Sequence, residues 1–171
     1  MAASVAEKII STSDVITCPG VIYVGGFKFG DWKTHGPENI IGAIAQSCDV
    51  FFYYLGGGYG NRIGLGVDLM DKYLRNFGFG SCTNIDLPGE QCGLVPDPQW
   101  KKQKTGEAWY VGDSYHLAIG QGGFLVTPLQ MAVATAAVAN GGIIYQPQLV
   151  DKIVNSDKNV IKDFKSEVLN R

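Results

Sequence analysis

The sequence predicts an α+β fold, mainly helical, with a small β hairpin toward the C-terminal end. Three observations carry that expectation. Apolar residues in 1–12 recur at mixed three- and four-residue spacing, and two apolar runs flank the polar residues 47–49. The stretch that follows Thr127 has a cap, a first-turn proline in Pro128 and a terminating Asn140-Gly141-Gly142. Two β-branched runs flank a polar turn at residues 155–159. The 171 residues suffice for one domain, and 46% hydrophobic content excludes disorder. Fourteen bases against sixteen acids leave a formal charge of -2 with no basic stripe, so no nucleic-acid partner is expected. No apolar run reaches the ~18 residues of a membrane span. Residues 1–8 lack the pattern of a signal peptide, so no export address is expected in the chain itself.

In chain order, residues 1–12 have helical composition, with the look of a helix tail. Residues 16–32 alternate strand and turn, with turns at Cys18-Pro19-Gly20 and Gly25-Gly26. Pro37 suits the first position of a helix and Glu38 suits its positive end. The run that follows, Ile40 to Ala45, is apolar almost all round and predicts a deeply buried helix. A polar break at Ser47-Cys48-Asp49 separates it from a second buried helix beginning at Val50. A third helix is expected over 67–77, closed by Gly78. Residues 79–107 read as turn-rich, residues 128–139 as the clearest helix, and 149–154 with 160–164 as two strands.

Chemistry is expected at the polar break. Unpaired polar groups between apolar helices cost roughly 1–3 kcal/mol each. On spacing alone, Ser47 or Asp49 as an ordinary N-cap of the following helix is the favoured account of the break. A second cluster, Cys18, Asp31, His35 and Cys48, has the ligand types of a tetrahedral zinc site, although its spacing matches no compact finger. Buried cysteines beside solvated Asp31 and His35 is the alternative. Cys82 and Cys92 are either a disulfide or free thiols. His116 reads as a structural histidine. Cys48 with His35 and Asp49 also has the composition of a cysteine hydrolase site.

The segment Ala43-Ile44-Ala45-Gln46-Ser47-Cys48-Asp49-Val50-Phe51-Phe52-Tyr53 resembles the second active-site motif of the penicillin-binding transpeptidases, Ser-x-Asn or Ser-x-Asp between two core helices. Four further stretches agree in order: Phe77-Gly78-Phe79-Gly80, Asn84-Ile85-Asp86-Leu87-Pro88-Gly89-Glu90, Trp109-Tyr110-Val111-Gly112-Asp113, and Ile119-Gly120-Gln121-Gly122 leading to Thr127-Pro128-Leu129-Gln130. The resemblance extends over about residues 16–155 and is nearest to the elongation-type, class B members.

That resemblance implies the helical lobe of the penicillin-binding transpeptidase and serine β-lactamase-like fold, with its central sheet incomplete. It implies a D,D-transpeptidase that crosslinks peptidoglycan stem peptides by serine acyl transfer during cell elongation and is acylated by β-lactams. Ser47 and Asp49 take the positions of the second motif. No Ser or Thr has Lys three residues later, and Lys104-Thr105-Gly106 precedes the stretch that the family places before its own K-T-G strand. The expectation is therefore the interior of a transpeptidase domain over 1–171, inactive alone. A non-enzymatic binding or scaffold module built on the same lobe is the alternative. The resemblance also implies a structural Zn²⁺ held by Cys18, Asp31, His35 and Cys48. It implies a parent anchored in the bacterial inner membrane among elongation-machinery membrane proteins, with this domain periplasmic and this fragment soluble.

Overall fold

The computed structural model describes residues 1–170 and divides into two compact units, residues 1–72 with 96–124, and residues 73–95 with those from 125 onward. Helix α1 (Ala2–Ala6) opens the first unit and is shorter than the composition of residues 1–12 suggests. Lys8 adopts φ 56°, which turns the chain and sends Ile10, 2% exposed, into the core. Strand β1 (Ile16–Cys18) follows. A tight hairpin of β2 (Val21–Val24) and β3 (Phe27–Gly30) comes next, closed by Gly25-Gly26. Both glycines hold positive φ, 57° and 84°, as a two-residue hairpin turn requires.

Pro37 does not begin a helix. It lies in β4 (Gly36–Glu38), which pairs antiparallel with β1 in the register Ile16 to Glu38, Thr17 to Pro37 and Cys18 to Gly36. A two-stranded ladder has free edges, where a residue without an N–H is tolerated. Glu38 is buried instead of serving a helix end. Helix α2 (Ile40–Gln46) starts two residues later, because Asn39 is its cap, accepting from the Gly42 amide at 2.9 Å. Only one face of α2 is buried, through Ile40 and Ala43. Ile41 and Ile44 are exposed, so the expected all-round burial is corrected.

Helix α3 (Asp49–Gly56) is the centre of the unit, with Val50 and Phe51 fully buried. Burying a side chain the size of Phe51 contributes roughly 1.5–3 kcal/mol. Helix α4 (Gly66–Asn76) leads out of the unit and ends at Gly78, as the spacing predicts. The stretch read as turn-rich contains α5 (Pro98–Thr105), capped by Asp97, and α6 (Val111–Ala118) follows. Helix α6 packs on α3 so closely that a Cβ on Gly56 would meet Ala118 at 2.5 Å. The Tyr115 hydroxyl donates to the Gly58 carbonyl at 2.6 Å, which satisfies its one polar atom in an otherwise apolar contact.

The second unit is built around α7 (Pro128–Ala139), where the sequence places it. Thr127 and Gln130 form a reciprocal capping box, with bonds of 3.1 and 3.0 Å. The buried Gln130 amide also donates to the Ser81 and Cys92 carbonyls, each at 2.8 Å. Cys82 and Cys92 are joined as a disulfide. Short strands complete the unit: β5 (Ile144–Tyr145) pairs with β8 (Val168–Asn170), and β6 (Lys152–Val154) with β7 (Val160–Asp163). The β6–β7 hairpin matches expectation around its polar turn, whereas β5 and β8 are too short to leave a sequence signal. The whole is α+β with separate strand pairs, and no described helix is long and apolar enough to cross a membrane.

Candidate functional site

The polar break forms a bend between two well-packed helices. Ser47 ends α2 in the left-handed conformation, φ 53° and ψ 54°, while Cys48 becomes the N-cap residue of α3 and Asp49 its first residue. Ser47 is exposed, Cys48 is fully buried and Asp49 lies between. The motif thus turns one side chain inward and presents the serine outward. Asp49 sits at the positive end of α3, which favours its carboxylate. Burial and the nearby Asp31 charge nevertheless push its pKa up, while His35 works the other way. Tyr53, one turn along, donates to the Gly30 carbonyl at 3.2 Å; burial, with Asp49 and Asp31, pushes its phenol up to about 12.

Beneath the bend, three of the four sequence-predicted ligands converge. One donor atom each from Cys18, Asp31 and Cys48 lies within 4.8 Å of the others. His35 stands beside this group and reaches it through Asp31, its Nε2 being 3.2 Å from Oδ1. The side chains of both His35 and Asp31 are fully buried, so neither is a solvated loop residue. Topology brings the His35 segment to Cys18: β4 runs back along β1, setting Gly36 opposite Cys18. The Asp31 amide bonds to the Gly20 carbonyl and the Thr34 hydroxyl to the Pro19 carbonyl, folding the loop onto the same turn.

Asp31 is the hub. Its Oδ2 accepts from the Val50 amide at 3.0 Å and the Cys18 thiol at 3.4 Å, and its Oδ1 from the Trp32 amide at 2.8 Å. Burial opposes ionisation of this carboxyl, but the bonds from Val50, Cys48, Cys18 and Trp32 outweigh it and hold the pKa low. Burial above all pushes the Cys48 thiol up, with Cys18 and Asp31 adding to it and the Phe51 amide opposing. A sulfur buried this way is closed to a substrate, which counts against a cysteine hydrolase.

Two thiols and a carboxylate converge with an imidazole beside them, all withdrawn from solvent, and these are ligand types that tetrahedral metal sites use. One observation adds to the chemistry. His35 Nδ1 is buried with no hydrogen-bond partner, an orphan atom beside the Cys18, Asp31 and Cys48 group.

Sequence reasoning missed Trp32, Lys33 and Gln46. The Trp32 indole donates to the Gln46 carbonyl at 3.0 Å, and the Lys33 ammonium to the Gln46 side chain at 2.8 Å. The one available signal was an aromatic residue next to Asp31. The other predicted positions lie elsewhere. Lys104 and Thr105 occupy the last turn of α5, with Gly106 as its left-handed C-cap, so this K-T-G is a helix end and neither strand nor loop. His116 is on α6, exposed, with its ring 5.9 Å from that of Phe29.

The whole chain, residues 1–171, matches the family model of the penicillin binding protein transpeptidase domain. It is 41% identical over 146 residues to the peptidoglycan D,D-transpeptidase MrdA of Acinetobacter baumannii, covering 83% of this chain and 21% of that protein. The Escherichia coli K12 MrdA is 30% identical over 162 residues, covering 92% of this chain and 25% of that protein. Among solved structures, penicillin-binding protein 2 of Helicobacter pylori in complex with MreC superposes with a TM-score of 0.78 at 38% identity, covering 93% of this chain and 29% of that one. Pseudomonas aeruginosa penicillin-binding protein 2 in complex with WCK 5153 gives 0.78 at 27% identity, over 95% and 37%. The chain therefore spans about a fifth to a quarter of the length of the two MrdA relatives.

Proposed function

This chain belongs to the penicillin-binding protein transpeptidase domain family, and from that premise we propose that it is an interior part of a penicillin-binding protein 2 that crosslinks peptidoglycan stem peptides during cell elongation. The observation that carries the reading is the bend itself: an exposed Ser47 on a left-handed backbone, between α2 and α3. In the proposed reaction a serine outside this chain attacks the penultimate carbonyl of a D-Ala-D-Ala stem. The terminal D-Ala leaves as an amine after receiving a proton, and the amine of a second stem peptide resolves the acyl-enzyme. Ser47 passes the proton, and Asp49 orients the bend from the first turn of α3.

Cys18, Asp31, His35 and Cys48 are the residues we infer to hold a zinc ion. When bound, the ion supplies a structural crosslink between the loop and the start of α3, with no open position for water. The MreC complex of the Helicobacter pylori relative supports an elongation-machinery partner, and from the likeness to MrdA we infer a parent anchored in the inner membrane with this domain in the periplasm.

Labelling with fluorescent penicillin tests the reading. The full-length parent should form a heat-stable, stoichiometric adduct, slowed by Ser47→Ala, and the 171-residue chain alone should form none. An adduct on the isolated chain would sink the fragment reading, and a parent that never labels would favour a scaffold module.

A further inference from the structure

We infer that Trp32 is a positioning residue for Ser47, acting through Gln46; this rests on the reading of Ser47 as the proton relay. Gln46 immediately precedes Ser47, and the segment from Trp32 to Glu38 holds it at three points. Its backbone carbonyl accepts from the Trp32 indole at 3.0 Å, and its side-chain oxygen accepts from the Lys33 ammonium at 2.8 Å. Its side-chain nitrogen donates to Glu38 at 2.6 Å. The last carbonyls of a helix have no intrahelical partner, so each is free to take an external donor. Here that donor comes from the residue next to Asp31. The Trp32 ring also stands edge-on to His35 at 5.2 Å and 81°, and Lys33 lies over the same ring at 4.6 Å.

Trp32 is 64% exposed, so burial does not explain its size; its indole N–H and ring edge are what it spends on contacts. The bond to the Gln46 carbonyl fixes the peptide plane that leads into the left-handed Ser47. Order in the buried Asp31–His35 cluster is thereby transmitted to the exposed hydroxyl. A small displacement of a reacting group costs on the order of 10²-fold in rate, so loss of this tie should appear in the chemical step and not in binding.

Two replacements at position 32 in the full-length protein test this. Trp32→Phe keeps a ring, and benzothienylalanine keeps the shape while removing only the N–H. Both should slow penicillin acylation roughly ten- to a hundred-fold, leave the non-covalent dissociation constant and melting temperature unchanged, and speed amide exchange at Ser47 and Cys48. Replacement by 5-fluorotryptophan, which retains the N–H, should restore both readouts. Unchanged acylation and exchange in the benzothienylalanine protein would overturn the inference, as would a loss confined to binding. If the wild-type protein is never acylated, the transpeptidase reading fails, and the exchange measurement still decides whether Trp32 orders Ser47.

Discussion

A left-handed backbone costs an L residue with a Cβ about 1–2 kcal/mol that glycine does not incur, and Ser47 holds that conformation. In the full-length protein Ser47→Gly should therefore be more stable than Ser47→Ala by about 1 kcal/mol in urea titrations. Both should be slow in penicillin acylation, since neither carries a hydroxyl. Equal stability of the two would mean that the bend relaxes. At the metal-type cluster, chelation and Cys48→Ala should each lower the melting temperature, and chelating the variant should lower it no further. Additive effects, or substoichiometric zinc in protein purified without added metal, would remove the ion from the account. The identities of these residues were legible because Cys, Asp and His announce their chemistry. The grip of Trp32 on Gln46 was not, since a hydrogen bond to a backbone carbonyl depends on where the chain returns.

Helix α7 is the element with the most local determination. Thr127→Ala should cost about 1 kcal/mol through loss of the cap. Gln130→Ala should cost more, about 2–3 kcal/mol, because it also strips the buried donor from the Ser81 and Cys92 carbonyls; denaturant titration separates the two. The loop between α4 and α5 contains an acid-sensitive brace. The Thr83 hydroxyl first, then the Thr83 and Asn84 amides, hold the Glu90 carboxyl below its ordinary pKa. A depressed folded pKa stabilises above the unfolded value of about 4.3, and that contribution is lost as pH falls through the folded value. Glu90→Gln should thus flatten the acid limb of a stability–pH curve, and an unchanged limb would reject the brace. The contrast with β4 is instructive. Pro37 carries a valid helix-start signal, yet pairing of Thr17 with Pro37 overrides it, and only Asn39 caps α2.

At the scale of the molecule, the two units rely on different fastenings. The Cys82–Cys92 bridge closes a short loop in the second unit, and opening it should cost about 2–3 kcal/mol. Hydrogen exchange should then show reductant loosening residues 82–92 and chelator loosening residues 16–38, each leaving the other region unchanged. Loosening of both regions by either reagent would contradict separate fastenings. By itself the sequence determined the α+β class, the order of the family motifs, α7 with its cap, the break at Ser47-Cys48-Asp49 and the four candidate ligands. Those signals are local, set by spacing, caps and side-chain chemistry within a few residues. Only the tertiary structure decided that Ile41 and Ile44 face outward, that Lys104 and Thr105 end a helix, that Cys82 and Cys92 are joined, and that Asp31 gathers Cys18, His35 and Val50 around itself. The outward faces of α2 and the gathering at Asp31 depend on residues brought together from distant parts of the chain, and periodicity records what a segment can bury but not what will meet it.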